Sequence, residues 1–249
     1  YHRYLTLNDG ASTNAMATLL RGYRQYEDQR YLDSVLRAAQ WLIDFQLPEP
    51  HRGWAQQYTL EGKPAPARWF EPAACCSSCT ARVIRALMEI YLETGQKGYL
   101  SPIPTAIEWL KQSEVRSGIW ARFYEIGTNR PIYVTEDRKV VYEAENLRAG
   151  YAWEVGAPAS AIDEYEKMMR LGRMAYLKDR KFQTQEEEDL RYLELQRAVD
   201  DVLARQREDG LWVAEGRVSC QAFVSNCRIL CEYLELWKKR NAGAFANQS

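Results

Sequence analysis

The chain has 249 residues, with 33 basic and 34 acidic side chains and a hydrophobic share of 46%. That length and apolar content support a sizeable core. The charge balance excludes partners recruited by bulk charge, such as nucleic acid or an anionic membrane. No run of 18 apolar residues occurs, so no spanning helix is expected. The opening YHRYLTLND is neither a signal peptide nor a start methionine, and a processed chain or a fragment of something longer is expected.

In chain order, NAMATLLRGYRQYEDQRYLDSVLRAAQWLIDFQ reads as two amphipathic helices with a turn near Glu27 and Asp28. A glycine-tryptophan turn follows, RGWAQQY at 52–58, and then the proline-rich EGKPAPARWFEP at 61–72. VIRALMEIYLETGQKGYLSPIPTAIEWLKQ repeats the helix pair, and SGIWARFY at 117–124 repeats the turn. Tyr31-Leu32 matches Tyr99-Leu100, and Trp41-Leu42 matches Trp109-Leu110. Strand alternation is confined to RPIYV and KVVYE, inside a long insertion at 125–160. A third copy has its helices around Trp212: AVDDVLARQREDGLW, then FVSNCRILCEYLELW. The predicted pairs run roughly over 11–46, 78–112 and 193–240. Paired helices of this kind bury their faces against neighbours. The expected fold is therefore all-α: an (α/α) toroid of paired helices with long decorated loops, one domain over 1–249.

Eight Trp and 16 Tyr suit either a sugar-lined groove or ordinary packing. Six cysteines fall in two clusters, Cys75, Cys76 and Cys79, then Cys220, Cys227 and Cys231. Buried free thiols are the leading reading, with a disulfide between clusters as the alternative; zinc spacing is not met. Asp9, Ser77 and Ser219 occupy matching positions before the first helix of each unit. Asp9 is either a helix cap or an acidic group at the mouth of the ring. The run Glu186 to Asp189 reads as a solvated helix start.

Four ordered loop motifs, YLTLNDGASTNAM, GWAQQYTLEGKPAPARWFEP, WARFYEIGTNRPIYV and NLRAGYAW, resemble polysaccharide lyase family 10, the pectate lyases. The resemblance covers about 1–156 and leaves 157–249 as a C-terminal extension with the third helix pair. It implies a helical toroid and calcium-assisted β-elimination of polygalacturonate or a related uronate polymer. It implies catalytic roles for Arg68, as Brønsted base, and Asp9, which is also the expected calcium ligand. Arg130 is the first choice for gripping a substrate carboxylate and Arg122 the second. Trp54, Gln57, Glu71 and Asn8 complete the expected substrate contacts. Read as a residue type alone, Arg68 is a carboxylate-binding arginine first, since free arginine stays protonated up to about pH 12. Trp69 and Phe70 are expected to anchor its loop. The family's further helix pair, with its acidic calcium-binding motif, would precede the asparagine-aspartate motif, so an incomplete calcium site is expected. A secreted or periplasmic monomer is implied. An inactive uronate-binding module of the same fold is the alternative. A hydrolase is the third reading; it would need two carboxylates, for which Asp9 and Glu71 are the pair.

Overall fold

The computed structural model describes residues 3–180, 185–214 and 217–245. The chain divides into two compact units, Tyr1–Tyr176 and Leu177–Ser249.

The first unit opens with strand β1 (Leu5–Thr6) and a 3-10 turn at Asn8–Gly10. Helices α1 (Ala11–Tyr26) and α2 (Gln29–Asp44) follow as a hairpin. Glu27 ends α1 in a left-handed conformation, and the Asp28 carboxylate caps α2 by accepting from the Arg30 N–H at 2.9 Å. Leu32, Val35, Ala39 and Leu42 recur at helical spacing and form the buried stripe of α2. Strand β2 (Gln57–Tyr58) pairs back onto β1.

Strand β3 (Ala74–Cys76) leads directly into α3 (Ser77–Thr94), the hub of the unit. Val83, Ile84, Leu87 and Ile90 of α3 are at most 1% exposed. The helix is apolar around most of its circumference because α1, α2 and α4 (Ile103–Gln112) surround it with α5 (Ala157–Leu171). Between α4 and α5 lie six short strands: β4 (Glu114–Arg116), β5 (Ile119–Ala121), β6 (Phe123–Glu125), β7 (Pro131–Val134), β8 (Val140–Val141) and β9 (Glu154–Val155). They build two antiparallel sheets, in the orders β3-β6-β7-β8 and β4-β5-β9. A short helix α6 (Arg173–Asp179) follows α5.

These sheets overturn the all-α toroid expectation: the fold is mixed, with helices and antiparallel sheets together. The physical reason lies in 114–155. RPIYV and KVVYE become β7 and β8, but the other strands run over only two or three positions, too few to register as period-two runs, yet each finds a partner.

In the second unit α7 (Gln185–Ala204) and α8 (Cys220–Phe245) flank a small ladder of β10 (Val213–Ala214) with β11 (Arg217–Val218). Arg191 pairs with Glu232 at 2.8 Å, and Tyr192 stacks on Tyr233 with centroids 5.2 Å apart. Ser219 caps α8 by accepting from the Ala222 N–H at 3.2 Å. The acidic run is not simply solvated: Glu188 is buried against Lys239, and Asp189 pairs with Arg240.

The glycine-tryptophan repeat is physical. Each indole N–H donates to a carbonyl at the end of the preceding helix: Trp54 to Leu42 at 2.7 Å, Trp120 to Leu110 at 2.6 Å and Trp212 to Val202 at 2.8 Å. Such carbonyls have no partner inside their own helix, so a buried indole is a natural cap. The first two copies share more. The Ala55 N–H donates to Tyr58 Oη at 2.8 Å, and the Ala121 N–H to Tyr124 Oη at 3.0 Å. The tyrosine hydroxyls pass the bond on, to the carbonyls of Phe45 and Ser113.

Candidate active site

The loop after the first tryptophan turn is tied down at both ends. Tyr58 bridges Pro64, and the Ala65 N–H donates to the Gln57 carbonyl at 2.9 Å. Its far end folds on itself around Glu71, which is 0% exposed. Both Glu71 oxygens are engaged. Oε2 accepts from the Arg68 backbone N–H at 3.0 Å and from Arg68 Nε at 2.8 Å; Oε1 lies 2.7 Å from Arg68 Nη2 and accepts from Tyr151 Oη at 2.9 Å. This is a bidentate arginine-carboxylate pair, the strongest geometry such a pair adopts. Burial alone would push the Glu71 carboxyl up, but the bonds from Arg68 and Tyr151 outweigh it and hold the group below its ordinary range. The same bonds from Glu71 push the Arg68 guanidinium up. Burial pushes the Tyr151 phenol up too, so it stays a donor.

Arg68 keeps one edge free of Glu71. Its side chain is 40% exposed, and Nη2 lies 3.5 Å from Asp9 Oδ2. Asp9 sits at φ 50°, a left-handed conformation that is uncommon outside glycine and concentrates at functional sites. Its side chain is 77% exposed and makes no cap for α1. The helix-cap reading of Asp9 is therefore replaced by a contact with Arg68. The Asn8 backbone N–H is held by the Gln56 carbonyl at 3.1 Å, and the Leu7 N–H by the same oxygen at 2.9 Å.

The other sequence candidates separate clearly. Glu71 orients Arg68 and is wholly covered. Arg122 joins the site: its guanidinium lies over the Tyr151 ring at 4.9 Å, donates from Nε to the Ala152 carbonyl at 2.6 Å, and reaches Ser78 Oγ at 3.4 Å. Arg130 is on the β6–β7 turn, 3.6 Å over the Tyr142 ring, while Tyr142 donates to Glu125. Gln57 is buried, with Nε2 on Thr6 Oγ1 at 3.2 Å. Trp54 requires a correction. It is 0% exposed and its N–H is spent on Leu42, so it has no face to offer a sugar. The anchoring roles are also revised: Phe70 is buried, but Trp69 is 47% exposed.

Sequence reasoning missed three residues. Tyr151 completes the grip on Glu71. Arg148 lies 3.9 Å over the Phe70 ring, and Arg138 5.1 Å over Trp69. The signal for two of them was present, because NLRAGYAW holds both Arg148 and Tyr151. Nothing in its spacing says which ring or carboxylate they meet.

The cysteines are free thiols: Cys75, Cys76 and Cys79 are buried, while Cys220 and Cys231 are exposed. Cys76, not Ser77, caps α3, its sulfur accepting from the Cys79 N–H at 3.4 Å. Calcium takes about six to eight oxygen ligands. Asp9 offers one carboxylate, already beside Arg68, and among the described residues no group of three His, Cys, Asp or Glu side chains is arranged to hold a metal ion. These residues do not by themselves fit a resident calcium ion.

Residues 104–162, from α4 through all six of these short strands into α5, match the family model for pectic acid lyase. The resemblance to family 10 polysaccharide lyases holds. Among solved structures, a family 10 polysaccharide lyase from Cellvibrio cellulosa aligns at a TM-score of 0.57 with 18% identity. A mutant of that enzyme in complex with trigalacturonic acid aligns at 0.57 with 17% identity. Each alignment covers 66% of this chain and 62% of the other. The chain thus spans under two thirds of the length of the structures it matches, and at these identities the likeness is one of fold. No curated protein matches the chain.

Proposed function

We propose that the first unit binds polygalacturonate or a related uronate polysaccharide and cleaves it by β-elimination. The observation that carries this reading is the Arg68–Glu71–Tyr151 arrangement beside Asp9. A buried carboxylate is spent on aiming an arginine whose other edge faces solvent, which a structural loop does not need. The pectic acid lyase match over 104–162 and the fold support it.

In this reaction the proton on C5 of a uronate leaves to a base, its electron pair forms the C4–C5 double bond, and the C4–O bond breaks. The departing oxygen takes a proton from water. Negative charge builds on the C5 carboxylate, and Arg122 is the second cation placed to meet it through its stack on Tyr151. Arg68 serves as base only after losing a proton, which its pairing with Glu71 opposes. Turnover is therefore expected to keep rising with alkaline pH. Where the polymer carries calcium on its own carboxylates, Asp9, exposed beside Arg68, would be the carboxylate to face it. A setting outside the cytoplasm, secreted or periplasmic, follows from a polymeric substrate. Among the described residues no helix is long and apolar enough to cross a membrane.

The firmly protonated Arg68 also favours a second reading, a module that holds uronate carboxylates without cleaving the chain. Absorbance of the unsaturated uronate product separates the two. Product formed from polygalacturonate by the parent and lost in Arg68→Ala supports the lyase. Binding of trigalacturonate without product at any alkaline pH supports the module. Neither product nor binding removes both.

A further inference from the structure

The rings beside Arg68 gather more positive charge than Glu71 and Asp9 can answer. Trp69, Phe70 and Tyr151 form a contiguous cluster through edge contacts, with centroids 5.2 and 4.9 Å apart. A guanidinium lies over each ring: Arg138 over Trp69 at 5.1 Å, Arg148 over Phe70 at 3.9 Å and Arg122 over Tyr151 at 4.9 Å. Arg148 is also 5.9 Å from the Trp69 centroid, and Arg68 is 5.3 Å from that of Phe70. A continuous track of rings and cations therefore runs from Arg68 to Arg138. The whole chain carries a net charge of −1, so the concentration is local.

Arg138 is the member of this track that the β-elimination described above does not use. It sits on the turn between β7 and β8 at φ 67°, a conformation open to glycine and uncommon for other residues. The turn is tied down around it. The Thr135 N–H donates to the Lys139 carbonyl and the Arg138 N–H to the Thr135 carbonyl, each at 3.0 Å. The adjacent acids are engaged elsewhere: Asp137 pairs with Lys139 at 2.7 Å, and Glu136 accepts from the Ala149 N–H at 2.7 Å. Among the described residues no ion pair engages the exposed Arg138, and the Trp69 ring is what holds its guanidinium. Trp69 is itself 47% exposed, although Phe70 beside it is buried. A guanidinium over an aromatic face keeps its N–H edge free to grip a carboxylate in the bidentate manner. A turn needs neither the strained arginine nor the open tryptophan. We propose that Arg138, held by Trp69, binds the carboxylate of a uronate lying further along the polymer from the one at Arg68. This assignment rests on the uronate reading of the site and extends it from the reacting sugar to a neighbouring subsite.

Arg138→Gly is the direct test, because glycine accepts φ 67° without strain and the turn keeps its backbone bonds. Calorimetric binding of trigalacturonate and of its methyl ester is read beside initial rates on polygalacturonate and thermal melts. The expected result is a melting temperature near the parent's and trigalacturonate affinity at least about tenfold weaker, the scale of one lost charge-assisted hydrogen bond. The value of kcat/KM should fall in step, and binding of the ester should not change. Trp69→Ala should weaken trigalacturonate binding about threefold, the scale of an exposed cation–π contact. Trigalacturonate affinity within twofold of the parent's in Arg138→Gly overturns the proposal and leaves the lyase reading intact. Equal losses on acid and ester overturn it too, since the contact is then not with a carboxylate. Should glycine lower the melting temperature, Arg138→Gln repeats the test with a longer side chain, and parent-like affinity there overturns the assignment. A parent that neither binds nor cleaves overturns the uronate reading itself, and this subsite with it.

Discussion

The two tryptophan turns of the first unit are built alike and employed differently. In each, an indole caps a helix end and a tyrosine hydroxyl relays between an alanine N–H and a helix-end carbonyl. After the first turn the chain enters a proline-rich loop that ends in Arg68 and Glu71. The second turn itself carries Arg122, and the strands after it deliver Arg148 and Tyr151. The two products meet at one point, the bond from Tyr151 to Glu71. A shared framework therefore sets where the pieces arrive, and the divergent segments that follow set the chemistry.

The largest expected effect comes from breaking that meeting point on its exposed side. Arg68→Ala should lower turnover by about 10²–10⁴-fold, as losing a positioned general base does. It should also destabilise the fold by about 2 kcal/mol, because Glu71 is left buried without its guanidinium, held only by Tyr151 and the residue-68 backbone N–H. Rates on polygalacturonate and urea melts of the same samples read both. A variant that keeps its rate would remove Arg68 from the chemistry.

The shared framework is tested next. Trp54→Ala and Trp120→Ala should each cost about 3–5 kcal/mol, since each empties a fully buried site and removes the indole bond to a helix-end carbonyl. Similar losses by chemical denaturation support the equivalence of the turns. A loss confined to one of them would show that the repeat is only nominal.

Glu71→Gln sharpens the contrast through pH. Glu71 raises the Arg68 pKa, so removing its charge should move the alkaline rise in rate to lower pH. The stability sign runs the other way. A carboxyl held below its usual 4.5 stabilises the folded state above that pH and loses its contribution as pH falls through its lowered value. The parent should thus lose stability on acidification below about pH 4.5, while Glu71→Gln should show a shallower loss. Coincident pH–stability curves would mean the pair does not couple to folding.

Tyr58→Phe and Tyr124→Phe should each cost about 1–2 kcal/mol, because each hydroxyl bonds two backbone groups. The smallest effect belongs to Asp9→Ala. Its side chain caps nothing, so thermal melts should shift by less than about 0.5 kcal/mol, and any change should appear in the rate. A loss near 1 kcal/mol with the rate kept would restore the helix-cap reading.

The helices and the tryptophan turns were legible in the sequence because local periodicity and local bonds produce them. Leu32, Val35, Ala39 and Leu42 announce a helix face whatever surrounds it, and a tryptophan soon after a helix can reach only that helix's last carbonyls. Loop motifs likewise located the Arg68 segment and its likeness to the lyases. The sheets were not legible. Beyond β7 and β8, which RPIYV and KVVYE announced, the short strands carry almost no periodic signal, and β3 pairs with β6 some fifty positions away. The same distance in sequence hid the partners of the site. Tyr151 meets Glu71 across 80 positions and Arg68 meets Asp9 across 59. Burial decided the rest. A tryptophan suited to a sugar platform became core at Trp54. Residue type fixes what a side chain can do, but exposure and partners come only from the packing of distant segments.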